Sequence, residues 1–396
     1  ADASPFIRVG VLRSRMTDQT PAITPRELYD RIEAGEPARI LDIRDRTAVE
    51  QWQITGDSVT FTFLPRSKVL QAKAIGTVDG LVGEIDGEGP ITVVCAEGRA
   101  SAEVADFLTE AGHDAQNLAE GMEGWADLYV GTELETQGVR IVQYRRPSSG
   151  CLAYLIVSDG EAAVVDPLAA FTDRYVADAT GFDAEIEYVI DTHVHADHVS
   201  GLRELAAETG ATPLMSPEAR ERGVGFETET ITDGETLTVG EATIEAMAAP
   251  GHTTGMTALV VDGVLLSGDS LFVESVARPD LEREDAGAAD LAHELYVTLT
   301  EQFGLLPDDV LVAPGHYSEA AEQATDGTYS ATLGELRGEL WTFETTEAAF
   351  VERILADLPP RPANYERLIA INLGQQEQTE DALELELGPN NCAATA

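Results

Sequence analysis

The sequence holds seven histidine and aspartate residues in an order and spacing typical of a metal site. These residues are His193, His195, Asp197, His198, His252, Asp269 and His316. The first four lie within the heptapeptide T-H-V-H-A-D-H, which follows a strand-like run at residues 186–190. Imidazoles and carboxylates are costly to bury unless an opposite charge compensates them. The cluster therefore predicts a metal site in a loop at the end of a strand.

The composition predicts a folded protein with a strongly acidic surface. A chain of 396 residues exceeds what one core usually fills, so we expect two domains. The formal net charge is −46, although 43% of the residues are hydrophobic, as in an ordinary core. Only Lys68 and Lys73 are lysines, and the acidic residues are dispersed. This pattern favours a halophilic protein over a mesophilic acidic one, and it argues against nucleic acid as a partner.

Localisation is predicted from three features. No run approaches the roughly 18–20 apolar residues of a membrane span. The residues at the start of the sequence lack the order of a signal peptide. Three cysteines, Cys95, Cys151 and Cys392, are too few and too scattered for a disulfide framework. We expect a protein of the reducing cytoplasm with no membrane partner. The sequence is compatible with a homo-oligomer.

The first segment, residues 1–132, is predicted to be an α/β domain with a parallel sheet. Thr24-Pro25-Arg26-Glu27 has the form of a capping box with proline at the first helical position. Continuous apolar strands at 38–44 and 91–95 alternate with helical runs, which favours a parallel sheet covered on both faces.

Cys95 is predicted to lie at the end of a strand, before a short loop and a helix. Backbone N–H groups at such a position stabilise a thiolate or persulfide anion. Arg99 in the same loop is a candidate donor to an anionic substrate. The alternative is an inert, buried cysteine.

Residues from about 22 to 130 resemble the rhodanese family. The resemblance depends on the segments I-T-P-R-E-L, L-D-I-R, C-A-E-G-R-A-S and L-A-E-G-M-E-G-W. It implies that Cys95 carries sulfane sulfur as a persulfide, with Arg99 beside it in a catalytic loop.

The second segment, residues 133–396, is predicted to contain two sheets with helices outside. Asp159-Gly160 and Asp262-Gly263 each separate a pair of strand-like runs, which indicates two hairpins. Helical runs follow at 289–303 and 347–358. Together with the ligand motifs, this pattern resembles the metallo-β-lactamase superfamily and implies an αββα sandwich with ligand loops at one edge.

Two metal chemistries remain open for this domain. The seven ligands fit a dinuclear zinc site that generates hydroxide for hydrolysis, which resembles a hydroxyacylglutathione hydrolase acting on thioesters. In that interpretation one ion takes His193, His195 and His252, the second takes Asp197, His198 and His316, and Asp269 bridges the two.

Three further segments resemble persulfide dioxygenases. They are A-R-P-D-L at 277–281, G-C-L-A-Y-L-I at 150–156, and L-P-P-R-P with Tyr365 and N-L-G after it. This resemblance implies one Fe(II) per chain, held by a facial triad of His193, His252 and Asp269. The remaining predicted side chains would orient ligands and move protons around the iron. They are His195, Asp197, His198 and His316.

The hypothesis is therefore an iron-dependent dioxygenase that oxidises low-molecular-weight thiol persulfides to sulfite, coupled to rhodanese sulfur transfer. Its small-molecule partners would be a thiol persulfide, O2, and sulfite or thiosulfate. The rivals are a dinuclear zinc thioester hydrolase and a non-catalytic sulfur carrier. Beyond the metal ligands, we predict no cofactor-binding residues. Cys151 is expected to pack in the core, and Cys392 is expected to have no role.

Overall fold

The computed structural model describes residues 21–356, 358–388 and 392–394. These divide into two compact units. One consists of residues up to 46 together with 57–124, and the other of 47–56 together with residues from 125 onward. The sequence-based boundary between residues 132 and 133 stays a prediction.

The first unit contains a five-stranded sheet in which every neighbouring pair is parallel. The strand order is β1-β5-β4-β2-β3. The strands are β1 (Ala22–Ile23), β2 (Ala38–Asp42), β3 (Val59–Phe63), β4 (Ile91–Val94) and β5 (Ala115–Leu118). The helices up to residue 126 are α1 (Pro25–Glu33), α2 (Arg46–Gln51), α3 (Arg66–Ile75), α4 (Val78–Val82), α5 (Arg99–Glu110) and α6 (Gly121–Ala126). The predicted parallel α/β domain is confirmed.

Helix α1 begins at the predicted capping box. The Thr24 hydroxyl accepts a hydrogen bond from the Glu27 backbone N–H at 3.2 Å, and the Thr24 N–H donates to the Glu27 carboxylate at 2.9 Å. Pro25 occupies the first helical position, where no backbone donor is needed. Local sequence therefore determines where this helix begins.

The second unit contains two sheets. The seven-stranded sheet has the order β12-β11-β10-β9-β8-β7-β6, and the six-stranded sheet has the order β13-β14-β15-β16-β17-β18. The strands of the first are β6 (Val130–Glu133), β7 (Arg140–Arg146), β8 (Cys151–Ser158), β9 (Glu161–Val165), β10 (Glu185–Ile190), β11 (Thr212–Met215) and β12 (Glu229–Thr230). The strands of the second are β13 (Thr236–Val239), β14 (Ala242–Ala248), β15 (Thr257–Val261), β16 (Val264–Gly268), β17 (Leu311–Pro314) and β18 (Ala331–Thr332).

Helices cover the outer faces of these sheets. They are α7 (Thr172–Gly181), α8 (Leu202–Thr209), α9 (Pro217–Glu221), α10 (Glu284–Val297), α11 (Leu333–Glu339), α12 (Glu347–Ala356) and α13 (Tyr365–Asn372). One apolar core contains side chains from both sheets, such as Ile156 and Leu259. A second core joins the seven-stranded sheet to α7 and α8, and a third joins the six-stranded sheet to α10, α11 and α12. The layers therefore form the predicted αββα sandwich.

Both predicted hairpins are present, as β8 with β9 and β15 with β16. Asp159 and Asp262, the first residues of the two turns, have φ values of 44° and 50°. The helix expected at 289–303 begins earlier, at Glu284, and gives way after Val297 to a π-helical turn at Thr298–Gln302.

None of the helices that the structure describes combines the length and apolarity that a membrane span requires.

Candidate metal centre

Three predicted ligands follow strands that end at one edge of the six-stranded sheet. His252 comes after β14, Asp269 after β16 and His316 after β17. Strands β14 and β16 are each antiparallel to β15, and β17 is parallel to β16. All three strands therefore run in the same direction, and their carboxyl ends bring distant parts of the sequence together.

Glycines in the two A-P-G-H motifs allow close packing beside His252 and His316. A Cβ atom on Gly251 would lie 2.5 Å from the Leu295 Cα. A Cβ atom on Gly315 would lie 2.6 Å from Asp269 Oδ1. Glycine is required at these positions because there is no space for a side chain.

The T-H-V-H-A-D-H loop leaves β10 and is held by Asp166, the residue after β9. Asp166 Oδ1 accepts from the Thr192 N–H at 2.7 Å, and Oδ2 accepts from the Thr192 hydroxyl at 2.9 Å. Thr192 Oγ1 in turn lies 3.0 Å from His193 Nδ1. These contacts fix the imidazole of His193, whose Nε2 lies 3.7 Å from Asp269 Oδ2.

Asn372 fixes the far side of the same loop, a role that sequence analysis missed. Its amide nitrogen donates to the carbonyls of His195 and His198 at 2.9 and 2.8 Å, and its oxygen accepts from the Ser200 N–H at 2.9 Å. Asn372 lies at the end of α13, and its residue type gives no sign of a partner so distant in sequence. The N-L-G motif was the available signal.

His193, His252 and Asp269 form a compact group. The Nε2 atoms of both histidines lie 3.7 Å from Asp269 Oδ2. All three atoms are buried and make no hydrogen bond with any described residue. Bonds of about 2.0–2.2 Å to one shared ion would satisfy them together. The three side chains fit a metal ion, although their role as ligands stays a prediction.

A second group contains Cys151, Asp197, His198 and His316, whose ligand atoms lie within 4.8 Å of one another. His316 Nε2 lies 2.7 Å from Asp197 Oδ2, and His316 Nδ1 lies 2.5 Å from Asp269 Oδ1. The His316 imidazole thus connects the two groups. His198 Nδ1 lies 3.4 Å from Asp197 Oδ1. This group also fits a cation.

Burial and neighbouring charges shift the pKa values of these groups in opposite directions. Burial lowers the pKa values of His193 and His252, which favours the neutral imidazole that binds metals. Burial also opposes the charge on His316, but the carboxylates of Asp197 and Asp269 outweigh it and raise the pKa of His316 well above its ordinary value. The acid–base behaviour of His316 therefore differs from that of His193 and His252.

His195 Nε2 lies near two carboxylates outside the triad. This atom lies 3.2 Å from Asp166 Oδ1 and 3.8 Å from Asp191 Oδ1. Its Nδ1 is buried and makes no hydrogen bond within the described residues. The ligand atoms of His193, His252 and Asp269 lie within 4.8 Å of one another in a group that does not include His195.

The A-R-P-D-L segment orients a predicted ligand. The Arg278 carbonyl lies 2.9 Å from His252 Nδ1 and fixes the ring so that Nε2 faces Asp269. The Arg278 guanidinium is buried and donates twice to the Asp280 carboxylate, at 2.7 and 3.0 Å. Arg361 Nε donates to the same carboxylate at 3.1 Å. A buried ion pair thus holds the segment that orients His252.

Both cysteines of the second unit lie at the candidate metal centre, which the sequence analysis did not predict. Cys151 Sγ donates to Asp197 Oδ2 at 3.3 Å, and Cys392 Sγ lies within 4.8 Å of ligand atoms of Asp269 and His316. Cys151 was expected only to pack, and Cys392 to have no role. Neither contact is visible in local sequence, because both depend on tertiary pairing.

Cys95 follows β4 and precedes α5, as predicted. Its Sγ lies 3.0 Å from the Ser101 hydroxyl and 3.3 Å from the Ser101 backbone N–H. The Cys95 carbonyl accepts from the Met122 N–H at 2.9 Å. Arg99 is largely exposed and forms an ion pair with Glu97. The predicted roles of Cys95 as sulfur carrier and Arg99 as anion donor stay predictions.

Comparisons with known proteins identify both domains. Residues 24–128 match the model of the rhodanese-like domain, and residues 147–316 match that of the metallo-beta-lactamase superfamily. The chain therefore carries a rhodanese-like domain followed by a metallo-beta-lactamase superfamily domain.

Two solved structures share its fold at 24% identity. A metallo-beta-lactamase from Staphylococcus aureus has a TM-score of 0.54 and covers 62% of this chain and 75% of its own. ETHE1 from Myxococcus xanthus has a TM-score of 0.52, and the match covers 62% of this chain and 100% of the ETHE1 chain.

Curated relatives of this chain include hydroxyacylglutathione hydrolases and persulfide dioxygenases. A hydroxyacylglutathione hydrolase from Polaromonas is 33% identical over 174 residues, which are 41% of this chain and 60% of the relative. The human persulfide dioxygenase ETHE1 is 29% identical over 181 residues, which are 44% of this chain and 66% of ETHE1. The chain thus spans less than two thirds of the length of either relative. The similarity includes the persulfide dioxygenases that the motifs resemble.

The Gly121→Ala variant tests the packing of the Cys95 loop. A Cβ atom at this position, whose φ is 63°, would lie 2.3 Å from the Cys95 carbonyl oxygen. We expect the loop to be displaced and persulfide loading of Cys95 from thiosulfate, measured by mass spectrometry, to be lost. Gly112→Ala is the matched control, because its φ is 93° but no atom lies within 4 Å of its Cβ. It should cost about 1–2 kcal/mol of unfolding free energy and keep loading. Equal loading in both variants would contradict the packing argument.

The Asp280→Asn variant tests the buried ion pair behind His252. It removes the carboxylate that pairs with the buried Arg278 guanidinium, so we expect a loss of about 3–5 kcal/mol in the free energy of unfolding. Metal affinity should fall about 10–100-fold as His252 loses its support. Denaturant unfolding and metal titration measure these effects. Asp30→Asn, which breaks an exposed pair with Arg26, should change unfolding by at most about 1 kcal/mol. Similar losses in the two variants would refute the argument.

Proposed function

We propose that the second domain is an iron-dependent dioxygenase that oxidises low-molecular-weight thiol persulfides to sulfite, and that the first domain transfers the sulfane sulfur. The observation that carries this proposal is the compact group of His193, His252 and Asp269. Two imidazoles and one carboxylate on one side of an ion are typical of non-haem Fe(II) oxygenases. His195 lies outside this group, which favours three protein ligands over four.

The overall reaction consumes one O2 and one water for each persulfide. The S–S bond of the persulfide breaks, its outer sulfur is oxidised to sulfite, the thiol is released, and two protons leave. Bound iron would supply the redox centre at which persulfide sulfur and O2 react. The chain's residues orient that chemistry, since Thr192 and the Arg278 carbonyl fix the two histidine rings. Asp269 supplies the carboxylate, with His316 hydrogen-bonded to its other oxygen.

The rhodanese-like domain would handle the same pool of sulfur. A persulfide on Cys95 passes its outer sulfur to sulfite, which gives thiosulfate and the free thiol. The Ser101 hydroxyl and N–H beside Sγ, together with the N-terminus of α5, stabilise the sulfur anions of this exchange. Placing both reactions on one chain raises the effective concentration of each product for the next step. We propose a halophilic enzyme on the basis of the acidic composition, and a cytoplasmic one because its three scattered cysteines form no disulfide framework in the described residues.

A dinuclear zinc thioester hydrolase is the second candidate. The group of Cys151, Asp197, His198 and His316 favours it because this group offers a second cation position. The similarity to hydroxyacylglutathione hydrolases supports it as well. Metal content and substrate turnover separate the two candidates.

Metal analysis of anaerobically purified protein tests the dioxygenase. We expect iron at the triad, with O2 uptake that depends on a thiol persulfide. His252→Ala should lose this iron and the uptake, whereas His195→Ala should keep the iron. The control is His293→Ala, which removes a histidine that is about half exposed. Two zinc ions in the wild-type protein, one of which is lost in His195→Ala, together with thioester cleavage, would instead identify the hydrolase.

Replacing Cys95 by serine tests whether the two activities use separate sites. We expect sulfur transfer between sulfite and thiosulfate to be abolished, because serine cannot carry a persulfide. Persulfide-dependent O2 uptake should be retained, since the triad keeps all its ligands. Stopped assays for thiosulfate and an oxygen electrode measure the two reactions. Loss of both activities in a folded variant would contradict independent sites.

A further inference from the structure

A short hairpin at residues 270–277 lies between two parts of the candidate metal centre. It follows Asp269 directly and is followed by Arg278, whose carbonyl orients His252. Its two sides pair through an antiparallel bridge and a backbone hydrogen bond of 2.9 Å, which places Glu274 at the tip. Because both ends of the hairpin are attached to residues of the centre, the position of the tip relative to the triad is fixed.

Glu274 connects this tip to the loop that carries His316. Its Oε1 accepts a hydrogen bond from the N–H of Ser318, two residues beyond His316, at 2.9 Å. Its Oε2 is buried and makes no hydrogen bond within the part of the chain that the structure describes. No described arginine, lysine or histidine forms an ion pair with this carboxylate. Buried carboxylates normally have a compensating cation, so Glu274 indicates a missing partner.

The neighbouring Ser275 also lacks a side-chain partner. It is 6% exposed, and its Oγ makes no hydrogen bond with any described residue. Burial raises the pKa of Glu274, and the hydrogen bonds from Ser318 offset this shift only in part. The hairpin therefore buries two oxygen acceptors that the described protein does not satisfy. The three N–H donors and the positive charge of a protonated primary amine suit such a pair.

We propose that Glu274 binds the ammonium group of the thiol whose sulfur reacts at the triad. The substrate class is then a low-molecular-weight amino thiol persulfide, with its sulfur at the metal and its protonated amine at the hairpin tip. Holding the molecule at both ends orients the sulfur for reaction. This inference rests on the proposed function, because it names the substrate class of that same site. A thiol is also the product of thioester cleavage, so the same contact would serve the second candidate.

The lack of a basic partner for Glu274 gives an order of preference among thiols. An ammonium group compensates the buried carboxylate and donates to its second oxygen. A neutral thiol of the same length leaves this oxygen unsatisfied, which costs binding free energy. A thiol with a carboxylate at the same position brings a second negative charge to Glu274 and binds most weakly. Affinity should therefore fall from cationic to neutral to anionic thiols.

Three persulfides of matched length test this order. They are the persulfides of cysteamine, 2-mercaptoethanol and 3-mercaptopropionate, which differ only in the terminal group. Glu274→Gln keeps an oxygen that accepts from the Ser318 N–H but removes the charge. In O2-uptake assays, this variant should raise KM for cysteamine persulfide by about 10–100-fold and leave kcat unchanged. KM for the neutral persulfide should not rise. Glu319→Gln, which neutralises an exposed carboxylate on the same loop, should match wild type.

A purely structural role for Glu274 predicts a different pattern. Glu274→Gln would then behave as wild type with all three persulfides. Glu274→Ala, which removes the acceptor for the Ser318 N–H, would lower kcat equally for all of them. This pattern, or an order of KM values that is the same in Glu274→Gln as in wild type, would overturn the proposal.

Calorimetry provides a measurement that does not depend on turnover. Anaerobic protein with its native metal is titrated with the thiols cysteamine and 2-mercaptoethanol. Wild type should bind cysteamine at least about tenfold more tightly, and Glu274→Gln should abolish this difference. Charge-dependent thiol binding without persulfide-dependent O2 uptake would contradict the dioxygenase and support the amine site. Uptake and binding without any preference for the cationic thiol would contradict the amine site and leave the dioxygenase supported.

Discussion

The structure of the second domain depends on the compensation of buried charge. Carboxylates of Asp197 and Asp269 lie among imidazoles that are almost completely excluded from solvent. Protein contacts satisfy only part of this group, because His193, His252 and His198 each retain a buried nitrogen without a hydrogen bond to the described residues. Leaving such atoms without a partner costs about 1–3 kcal/mol each, and more for charged groups. A cation removes this cost, so folding and metal binding are thermodynamically coupled in this domain.

The surrounding structure restricts each ligand from a different direction. Asp166 holds the beginning of the histidine loop, and Asn372 holds its end through the carbonyls of His195 and His198. The Arg278 carbonyl fixes His252. These supports come from separate elements of the sandwich, and each uses a hydrogen bond to backbone or to a ring nitrogen. A ligand set built in this way retains its geometry before the metal binds, which reduces the cost of ordering it.

Local patterns explain why much of the architecture could be predicted and part of the site could not. The Thr24 capping box and the Asp-Gly turns are encoded by neighbouring residues, so the sequence indicated where α1 starts and where the hairpins turn. The order of the histidine and aspartate motifs likewise indicated a metal site. Cys392 reaches this site only through tertiary pairing and has no local motif that specifies the contact. Asn372 begins the N-L-G motif, but that motif does not specify the carbonyls of the histidine loop as its partners. Whether His195 faces the triad also depends on Asp166, whose position follows from the fold.

Under the proposed function, the two domains stabilise negatively charged sulfur by different physical means. Beside Cys95, the donors are the hydroxyl and N–H of Ser101 at the start of α5, so this site would hold a sulfur anion without a metal and leave the sulfur free to exchange. In the second domain the carboxylates of Asp197 and Asp269 would repel a sulfur anion in the absence of cations. Anionic sulfur can therefore approach this centre only when bound metal reverses the local charge. Under the proposed function, metal occupancy, rather than the fold alone, determines whether the second domain can take part in sulfur chemistry.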